Sequence, residues 1–285
     1  MEKVGKDVVR FQVGDRVTAD ANLPCGTCYY CIRGEVQFCE NNRAYGQSLN
    51  GGFAQLVAVD ESLVYKVPDS VSLRAASMTE LVGCVYNCME RCNFKYGSEV
   101  LILGGGASGN LIAQMVKSSN AATVVVDCVA SKLERLKPIG VKTILADKDD
   151  PEVHEAVLKE QYPHGFDYII DTTANPKLIS RSLYLLKRGG TFVNYGFQNN
   201  VKVAEQVQID MKLFVTRQLS DLGTTFQHFK FPQTLKAMEE KRVDPELAIS
   251  EIRPLDDFFE CMDKVLYDPE TVKIVLEPNG SSEGM

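Results

Sequence analysis

Residues 100–117 read VLILGGGASGNLIAQMVK, and this stretch decides the fold of the 285-residue chain. Gly104, Gly106 and Gly109 form a G-x-G-x-x-G pattern between an apolar run that predicts a strand and a run with helical spacing. In that setting the first glycine permits a tight turn, the second lets the backbone approach a pyrophosphate, and the third allows close helix–strand packing. The alternative is a glycine-rich turn that serves packing alone.

A second strand strengthens the prediction of a dinucleotide site. The run TVVVD ends at Asp127, eighteen residues after Gly109, where a dinucleotide fold places an acid that hydrogen-bonds ribose hydroxyls. A carboxylate at that position repels a 2′-phosphate, which favours NAD over NADP. Lys132 lies near enough in sequence to soften this preference, so NADP stays possible.

Strands and helices alternate on both sides of the glycine pattern. From residue 99 to residue 196, apolar runs of strand length alternate with helical runs, and a sixth strand is predicted at KLFVTRQLS, residues 212–220. Near-continuous apolar strands joined by helices predict an α/β fold with a doubly wound parallel sheet.

The segments before and after this alternating region show different patterns of predicted strands and helices. Residues 1 to about 75 contain short β-rich runs separated by turns, including FAQLVAVDESLVYKVPD, and the tail combines helices with strands near LAISEI and VKIVLEP. We therefore predict a β-rich domain at residues 1–77, a nucleotide-binding domain at 78–222, and a C-terminal segment at 223–285 that returns to the first domain.

A cysteine-rich loop lies in the first domain. Its sequence is PCGTCYYCIRGEVQFC, and its spacing lets four thiolates surround one Zn²⁺ in the closed arrangement of a structural site. Free thiols or two disulfides are the alternatives. With four protein ligands, such a zinc has no open position for water or substrate. The predicted ligands are Cys25, Cys28, Cys31 and Cys39.

Composition excludes several classes of function. A formal net charge of −7 and a pI near 5.2 argue against a nucleic-acid partner, because such binding needs clustered Lys and Arg. No apolar run reaches membrane-spanning length, and the first residues lack the apolar core of a signal peptide. We therefore expect that the protein does not associate with membranes and that it is located in the reducing cytoplasm.

The order of these motifs resembles the zinc-containing medium-chain alcohol dehydrogenase family. The matching pieces are FQVGDRV, CGTCYYCIRGEVQFC, GGFAQLVAV, TELVGC, LILGGGASG with Asp127, and GTFVNYG. The resemblance implies a Rossmann domain plus an incomplete GroES-like β domain, with hydride transfer between a small-molecule polyol or alcohol and NAD(P). It also implies a homo-oligomer.

Within that family the chain looks most like the sorbitol and arabinitol dehydrogenases. Glu80 stands where those enzymes have the glutamate of a Glu-Pro-Leu motif, although Leu81 replaces the proline. The resemblance would place the Glu80 carboxylate beside a catalytic zinc, whereas the alternative is a helix-start carboxylate favoured by the macrodipole.

Two further ligands that the family uses for a catalytic zinc have no counterpart here. Residues 1–24 contain neither Cys nor His, and His154, His164 and His228 are interpreted as surface or helix-end residues. We therefore expect a segment of the catalytic domain to be missing and catalysis in this chain to be impaired. The alternative function is an NAD-binding, zinc-stapled protein without turnover.

Overall fold

The computed structural model describes residues 1–196, 207–227 and 229–278. The strands are β1 (Val17–Ala19), β2 (Asn22–Leu23), β3 (Arg43–Ala44), β4 (Val64–Lys66), β5 (Glu99–Leu103), β6 (Ala122–Asp127), β7 (Lys142–Leu145), β8 (Phe166–Asp171), β9 (Leu186–Asn194), β10 (Ser220–Gly223), β11 (Glu251–Pro254) and β12 (Ile274–Glu277). The helices are α1 (Tyr29–Ile32), α2 (Leu73–Ser77), α3 (Thr79–Cys92), α4 (Ala107–Ser118), α5 (Ala130–Glu134), α6 (Pro151–Gln161), α7 (Pro176–Ser182), α8 (Met211–Arg217), α9 (Phe231–Glu239) and α10 (Phe258–Tyr267).

The chain divides into two compact units. The lobe unit comprises Met1–Tyr86 and Phe226–Met285, and the sheet unit comprises Asn87–Thr225. The boundaries predicted from sequence, at 77/78 and 222/223, lie earlier than the boundaries between these units. The three-domain division of the sequence therefore stays a prediction.

The sheet unit is built on six parallel strands in the order β10-β9-β8-β5-β6-β7. Strands β5 and β8 are neighbours although two strands separate them in sequence, so the chain reverses its direction of sheet growth between them. The carboxyl ends of strands at such a switch point form the crevice where α/β proteins bind ligands. The predicted Rossmann fold class is confirmed.

Burial explains why the central strands are continuous apolar runs. Four consecutive residues of β5, from Val100 to Leu103, are at most 1% exposed, as expected for a strand covered on both faces. Leu101 faces Val124 on one side and Ile169 on the other. These residues join one hydrophobic core that also contains Leu158, Phe166 and Phe192.

The predicted sixth strand at residues 212–220 is wrong. Most of that segment forms helix α8, and the sixth strand, β10, begins only at Ser220. Asp210 caps the helix by accepting a hydrogen bond from the backbone N–H of Lys212, and Gln218 ends it with a left-handed φ of 53°. The apolar residues Leu213 and Phe214 pack against the core from the helix, and no strand is needed to bury them.

The strands of the lobe unit form only short two-stranded ribbons among its described residues. β1 pairs with β4 and β2 with β3, both antiparallel, whereas β11 and β12 are parallel. Much of the predicted β-rich run from residue 53 is irregular, and Phe53 and Leu56 are exposed. Only Val64–Lys66 at its end forms a strand.

Residues 73–92 (LRAASMTELVGCVYNCMERC) have apolar and small residues at helical spacing, and they form two helices. Ser72 caps α2 by accepting a hydrogen bond from the N–H of Ala75, and Met78 separates α2 from α3.

Within the described ranges, no helix combines the length and apolarity that a bilayer crossing requires.

Candidate functional site

The glycine pattern forms the turn between β5 and α4. Gly104 has a φ of +99°, which favours glycine, and its N–H donates to the carbonyl of Val126 at 2.8 Å. A Cβ on Gly109 would lie 1.8 Å from the Gly104 carbonyl oxygen, whereas a Cβ on Gly106 would meet no atom within 4 Å. Gly109 therefore serves helix–strand packing, and Gly106 leaves open space at the start of α4.

Asp127 ends β6 directly beside this turn. One carboxylate oxygen accepts a hydrogen bond from the Gly105 N–H at 2.6 Å, and the other accepts from the Val129 N–H at 2.8 Å. The Lys132 Cβ lies 3.5 Å from the position that a Cβ on Gly105 would take. Gly104, Gly106, Gly109, Asp127 and Lys132 are thus brought together, and the open space at a helix N-terminus fits a dinucleotide diphosphate.

The turn after β8 supports the glycine turn, and sequence reasoning missed it. The Thr172 hydroxyl donates to the Leu103 carbonyl at 2.8 Å, and a Cβ on Gly104 would lie 2.4 Å from that hydroxyl oxygen. Asp171 accepts hydrogen bonds from the Thr173 hydroxyl at 2.6 Å and the Ala174 N–H at 2.9 Å. Burial raises the pKa of Asp171, against these hydrogen bonds. The only sequence signal was the Asp-Thr-Thr run that ends an apolar strand.

A cavity of about 300 Å³ lies at the carboxyl ends of β5, β6 and β7. Gly104 and Asp127 form one part of its wall, and Ala146, Asp147 and His154 form another. The space therefore continues from the glycine turn past Asp127 toward the start of α6.

Two of the three histidines can be placed. His154 was predicted to be a surface or helix-end residue, which is wrong: it is only 4% exposed, because its position on α6 faces inward. His164 is exposed, as predicted. His228 lies outside the described residues.

The four predicted zinc ligands lie together in the lobe unit. The Sγ atoms of Cys25 and Cys31 are 4.0 Å apart, and those of Cys28 and Cys39 are 3.9 Å apart. All four sulfurs lie within 4.8 Å of one another. Tetrahedral ZnS₄ with Zn–S bonds of about 2.3 Å has S···S distances of about 3.8 Å. The donor set therefore fits one Zn²⁺.

Turns and backbone N–H groups shape this cluster. Gly26 and Gly34 have φ angles of 75° and 79°, so both turns use the left-handed region. The N–H groups of Cys25 and Cys28 point at cluster sulfurs, at 3.2 Å and 3.4 Å. All nine cysteines of the chain are free thiols in this structure, which gives no support to the disulfide alternative.

The thiols of the cluster differ in acidity. Hydrogen bonds from Thr27, first through its backbone and then its side chain, lower the pKa of Cys25 to about 5. Burial and the neighbouring thiols raise the pKa of Cys31 to about 12. Because zinc binds thiolates, loading the cluster must release the protons that the less acidic thiols still carry.

Glu80 lies in the first turn of α3. The Cys84 thiol donates to its carboxylate at 3.3 Å, and burial together with the Glu80 charge raises the pKa of that thiol well above its ordinary range. In the part of the chain that the structure describes, the four-cysteine cluster is the only group of three or more metal-ligand side chains. Glu80 has a thiol partner in Cys84. The described residues add no further metal ligands around its carboxylate, so they do not form a second metal site.

Two family models match the chain. One, described as a zinc-binding dehydrogenase domain, matches residues 107–240, and the other, an alcohol dehydrogenase GroES-like domain, matches residues 1–69. The chain belongs to the zinc-containing medium-chain alcohol dehydrogenase family. The GroES-like match contains the cysteine cluster, and the other match contains Asp127, so the predicted family is confirmed.

The relatives of this dehydrogenase chain include polyol enzymes. D-arabinitol dehydrogenase 1 from Uromyces fabae is 29% identical, over 96% of this chain and 78% of that protein. Sorbitol dehydrogenase from Halalkalibacterium halodurans is 25% identical, over 79% of this chain and 65% of that protein. The chain thus spans about two thirds to four fifths of these relatives' lengths.

A solved structure agrees with the fold. A provisionally assigned zinc-binding dehydrogenase from Sinorhizobium meliloti 1021, bound to NADP, is 26% identical with a TM-score of 0.86. The match covers 97% of this chain and 80% of that one. The predicted oxidoreductase class is confirmed by these family relationships.

Proposed function

We propose that this chain binds NAD in the sheet unit and serves hydride transfer between a polyol and the nicotinamide. The observation that carries the proposal is the glycine turn joined to Asp127 through the Gly105 N–H, at 2.6 Å. This arrangement provides a backbone surface for a diphosphate and a carboxylate for the adjoining ribose.

The residues of the sheet unit have separate proposed roles. The turn from Gly104 to Gly109 and the N-terminus of α4 bind the diphosphate through backbone N–H groups and the helix dipole. Asp127 accepts hydrogen bonds from ribose hydroxyls and repels a 2′-phosphate. Lys132 lies beside Gly105 and offsets part of that repulsion. When bound, NAD supplies the hydride acceptor for oxidation of an alcohol.

The cysteine cluster has a structural role in this proposal. Four thiolates fill the coordination sphere of a zinc ion, so Cys25, Cys28, Cys31 and Cys39 would hold the loop together and leave no open position. The zinc would stabilise the fold of the lobe unit, whose described strands form only short two-stranded ribbons.

Glu80 is proposed to contribute a carboxylate at the reaction site. Support comes from its position in the TELVGC segment that resembles the polyol dehydrogenases. The Cys84 thiol, which is mostly protonated because its pKa is raised, orients that carboxylate by donating to it. No reaction step is assigned to a second metal, since the described residues do not form its site.

A polyol is the substrate class that we propose. The relatives named above are an arabinitol dehydrogenase and a sorbitol dehydrogenase. The proposed preference for NAD over NADP depends on Asp127. Because the relative from Sinorhizobium meliloti is bound to NADP, the affinities of this chain for NADH and NADPH need to be compared directly.

The decisive experiment measures binding and turnover separately. The full chain is purified with zinc and titrated with NADH and NADPH by fluorescence, and arabinitol and sorbitol oxidation is then assayed with NAD. We expect NADH to bind more tightly than NADPH. The substitution Asp127→Ser should reduce the ratio of the NADPH dissociation constant to the NADH dissociation constant by about tenfold, because one charge-assisted hydrogen bond has roughly that value.

Asp149→Asn is the matched control, because Asp149 is an exposed acid of the same unit and does not line the cavity. It should leave both affinities unchanged. Absence of NADH binding by the unaltered chain would refute the proposal.

A second candidate function is an NAD-binding, zinc-stapled protein without turnover. The observation that favours it is that the described residues form one metal-ligand group, the four-cysteine cluster, and none that includes Glu80. NADH binding together with failure to oxidise any polyol would support this candidate over the first.

We also propose a homo-oligomer in a reducing cytoplasm. β10 lies at the edge of the six-stranded sheet in the described residues and is paired there on one side only, and such an edge can pair with a second copy. The nine free cysteines support the reducing compartment. Light scattering of the purified chain tests the first point, and localisation of a tagged chain tests the second.

A further inference from the structure

The cavity beside Asp127 continues into a largely apolar space that the diphosphate and ribose do not use. Val126, Ala146, Pro151 and Leu178 contribute apolar wall, and His154 is a polar group among them. The base that a dinucleotide carries on the ribose held by Asp127 would enter this space. A flat purine suits apolar walls with one polar group at the edge.

His154 is an unusual member of that wall. Its side chain is 4% exposed, and its Nδ1 atom is buried without a hydrogen-bond partner among the described residues. Buried polar atoms of proteins are nearly always hydrogen-bonded, so an orphan atom needs an explanation. Since no described residue hydrogen-bonds to Nδ1, rotation of the imidazole ring breaks no hydrogen bond at that atom.

The surroundings keep the ring neutral. Burial is the main reason that the pKa of His154 is lowered, and the charge of Arg181 acts in the same direction, whereas Glu155 and Asp147 oppose them. A neutral imidazole has one donor and one acceptor nitrogen, which matches the amino group and ring nitrogens on the edge of adenine.

We propose that His154 hydrogen-bonds the adenine base of the bound dinucleotide and thereby recognises the purine end of the cofactor. The inference rests on the proposed function, because it assumes that NAD binds in the sheet unit. It adds a recognition residue on α6 that no glycine or acid motif of the sequence identifies.

The test compares ligands that carry adenine with one that does not. NADH, AMP and reduced nicotinamide mononucleotide are titrated into the unaltered chain, His154→Leu and His154→Gln. We expect His154→Leu to weaken NADH and AMP binding by about tenfold, the usual scale of a lost hydrogen bond at a buried site. Binding of the mononucleotide should not change, and His154→Gln should recover part of the affinity, because its amide also donates and accepts.

His164→Leu is the matched control, because His164 is the exposed histidine of the same unit. Thermal unfolding confirms that each variant is folded, and His154→Gln keeps the test valid if the leucine variant is not. Unchanged NADH and AMP affinity in both His154 variants would overturn the inference alone. Failure of the unaltered chain to bind NADH would overturn the proposed function together with it.

Discussion

Gly106 and Gly109 belong to one motif but have different physical roles. A Cβ on Gly106 meets open space, and its φ of −65° suits any residue, so Gly106→Ala should fold normally. The added methyl would occupy space proposed for the diphosphate, and we expect NADH affinity to fall by about tenfold or more, the scale of a lost charge-assisted hydrogen bond. Fluorescence titration measures the affinity, and thermal unfolding measures the fold.

Gly109→Ala is the contrasting variant. Its Cβ would lie 1.8 Å from the Gly104 carbonyl oxygen, so β5 and α4 must separate. We expect a loss of stability of about 1–3 kcal/mol, as for overpacking in a core. Equal stability of the two alanine variants would contradict this division of roles.

His154 also predicts a pH dependence of stability. In the unfolded chain it takes up a proton near its ordinary pKa of about 6.5, whereas burial lowers the pKa in the folded state. In the pH range between these two values the unfolded state binds more protons, so stability rises with pH there. The stability that neutral His154 contributes is therefore complete above about pH 6.5 and is lost as the pH falls through its folded-state pKa.

The corresponding measurement is the melting temperature between pH 7.5 and pH 5. The unaltered chain should lose more stability on acidification than His154→Gln does, while His164→Gln should follow the unaltered chain. Parallel curves for the unaltered chain and His154→Gln would rule out this linkage.

Among the elements, α7 depends on its N-cap. The Asn175 side-chain oxygen accepts hydrogen bonds from the N–H groups of Lys177 and Leu178, at 3.0 Å and 3.2 Å. Asn175→Ala should destabilise the sheet unit by about 1 kcal/mol, the usual value of such a cap. Urea unfolding measures this change, and Asn175→Asp, which keeps the acceptor, should cost little. A similar loss in both variants would show that the cap oxygen is not the cause.

Elements also show where local pattern fails. Residues 212–220 contain β-branched and aromatic residues that predict a strand, yet Asp210 caps a helix there and the core accepts Leu213 and Phe214 from it. The largely apolar residues 53–59 (FAQLVAV) predict a strand too, but the described residues place no partner strand beside them. A strand forms only where another strand supplies its hydrogen bonds.

For the whole molecule, the two units should respond differently to metal removal. The cysteine cluster lies in the lobe unit, and the glycine turn and Asp127 lie in the sheet unit. A chelator should therefore lower hydrogen-exchange protection around residues 22–44, because structural zinc sites contribute folding free energy directly. NADH affinity of the sheet unit should change by less than about twofold, as expected for two sites that share no residue.

Zinc content by mass spectrometry completes that test. The intact chain should hold about one zinc, and Cys39→Ser should hold close to none because a closed site needs all four ligands. Cys128→Ser, which removes an exposed thiol outside the cluster, should retain the metal. Unchanged zinc content in Cys39→Ser would disprove the assignment.

The sequence by itself determined the parallel α/β sheet, the glycine turn with Asp127 and the grouping of the four cysteines. These features depend on local periodicity, on backbone angles that favour glycine, and on short spacings along one loop, so neighbours in the chain specify them. Only the tertiary structure decided that residues 212–217 are helical, that Thr172 supports the glycine turn, and that His154 is buried. Those outcomes depend on partners far away in sequence, because burial and hydrogen-bond pairing are set by the packing of whole elements.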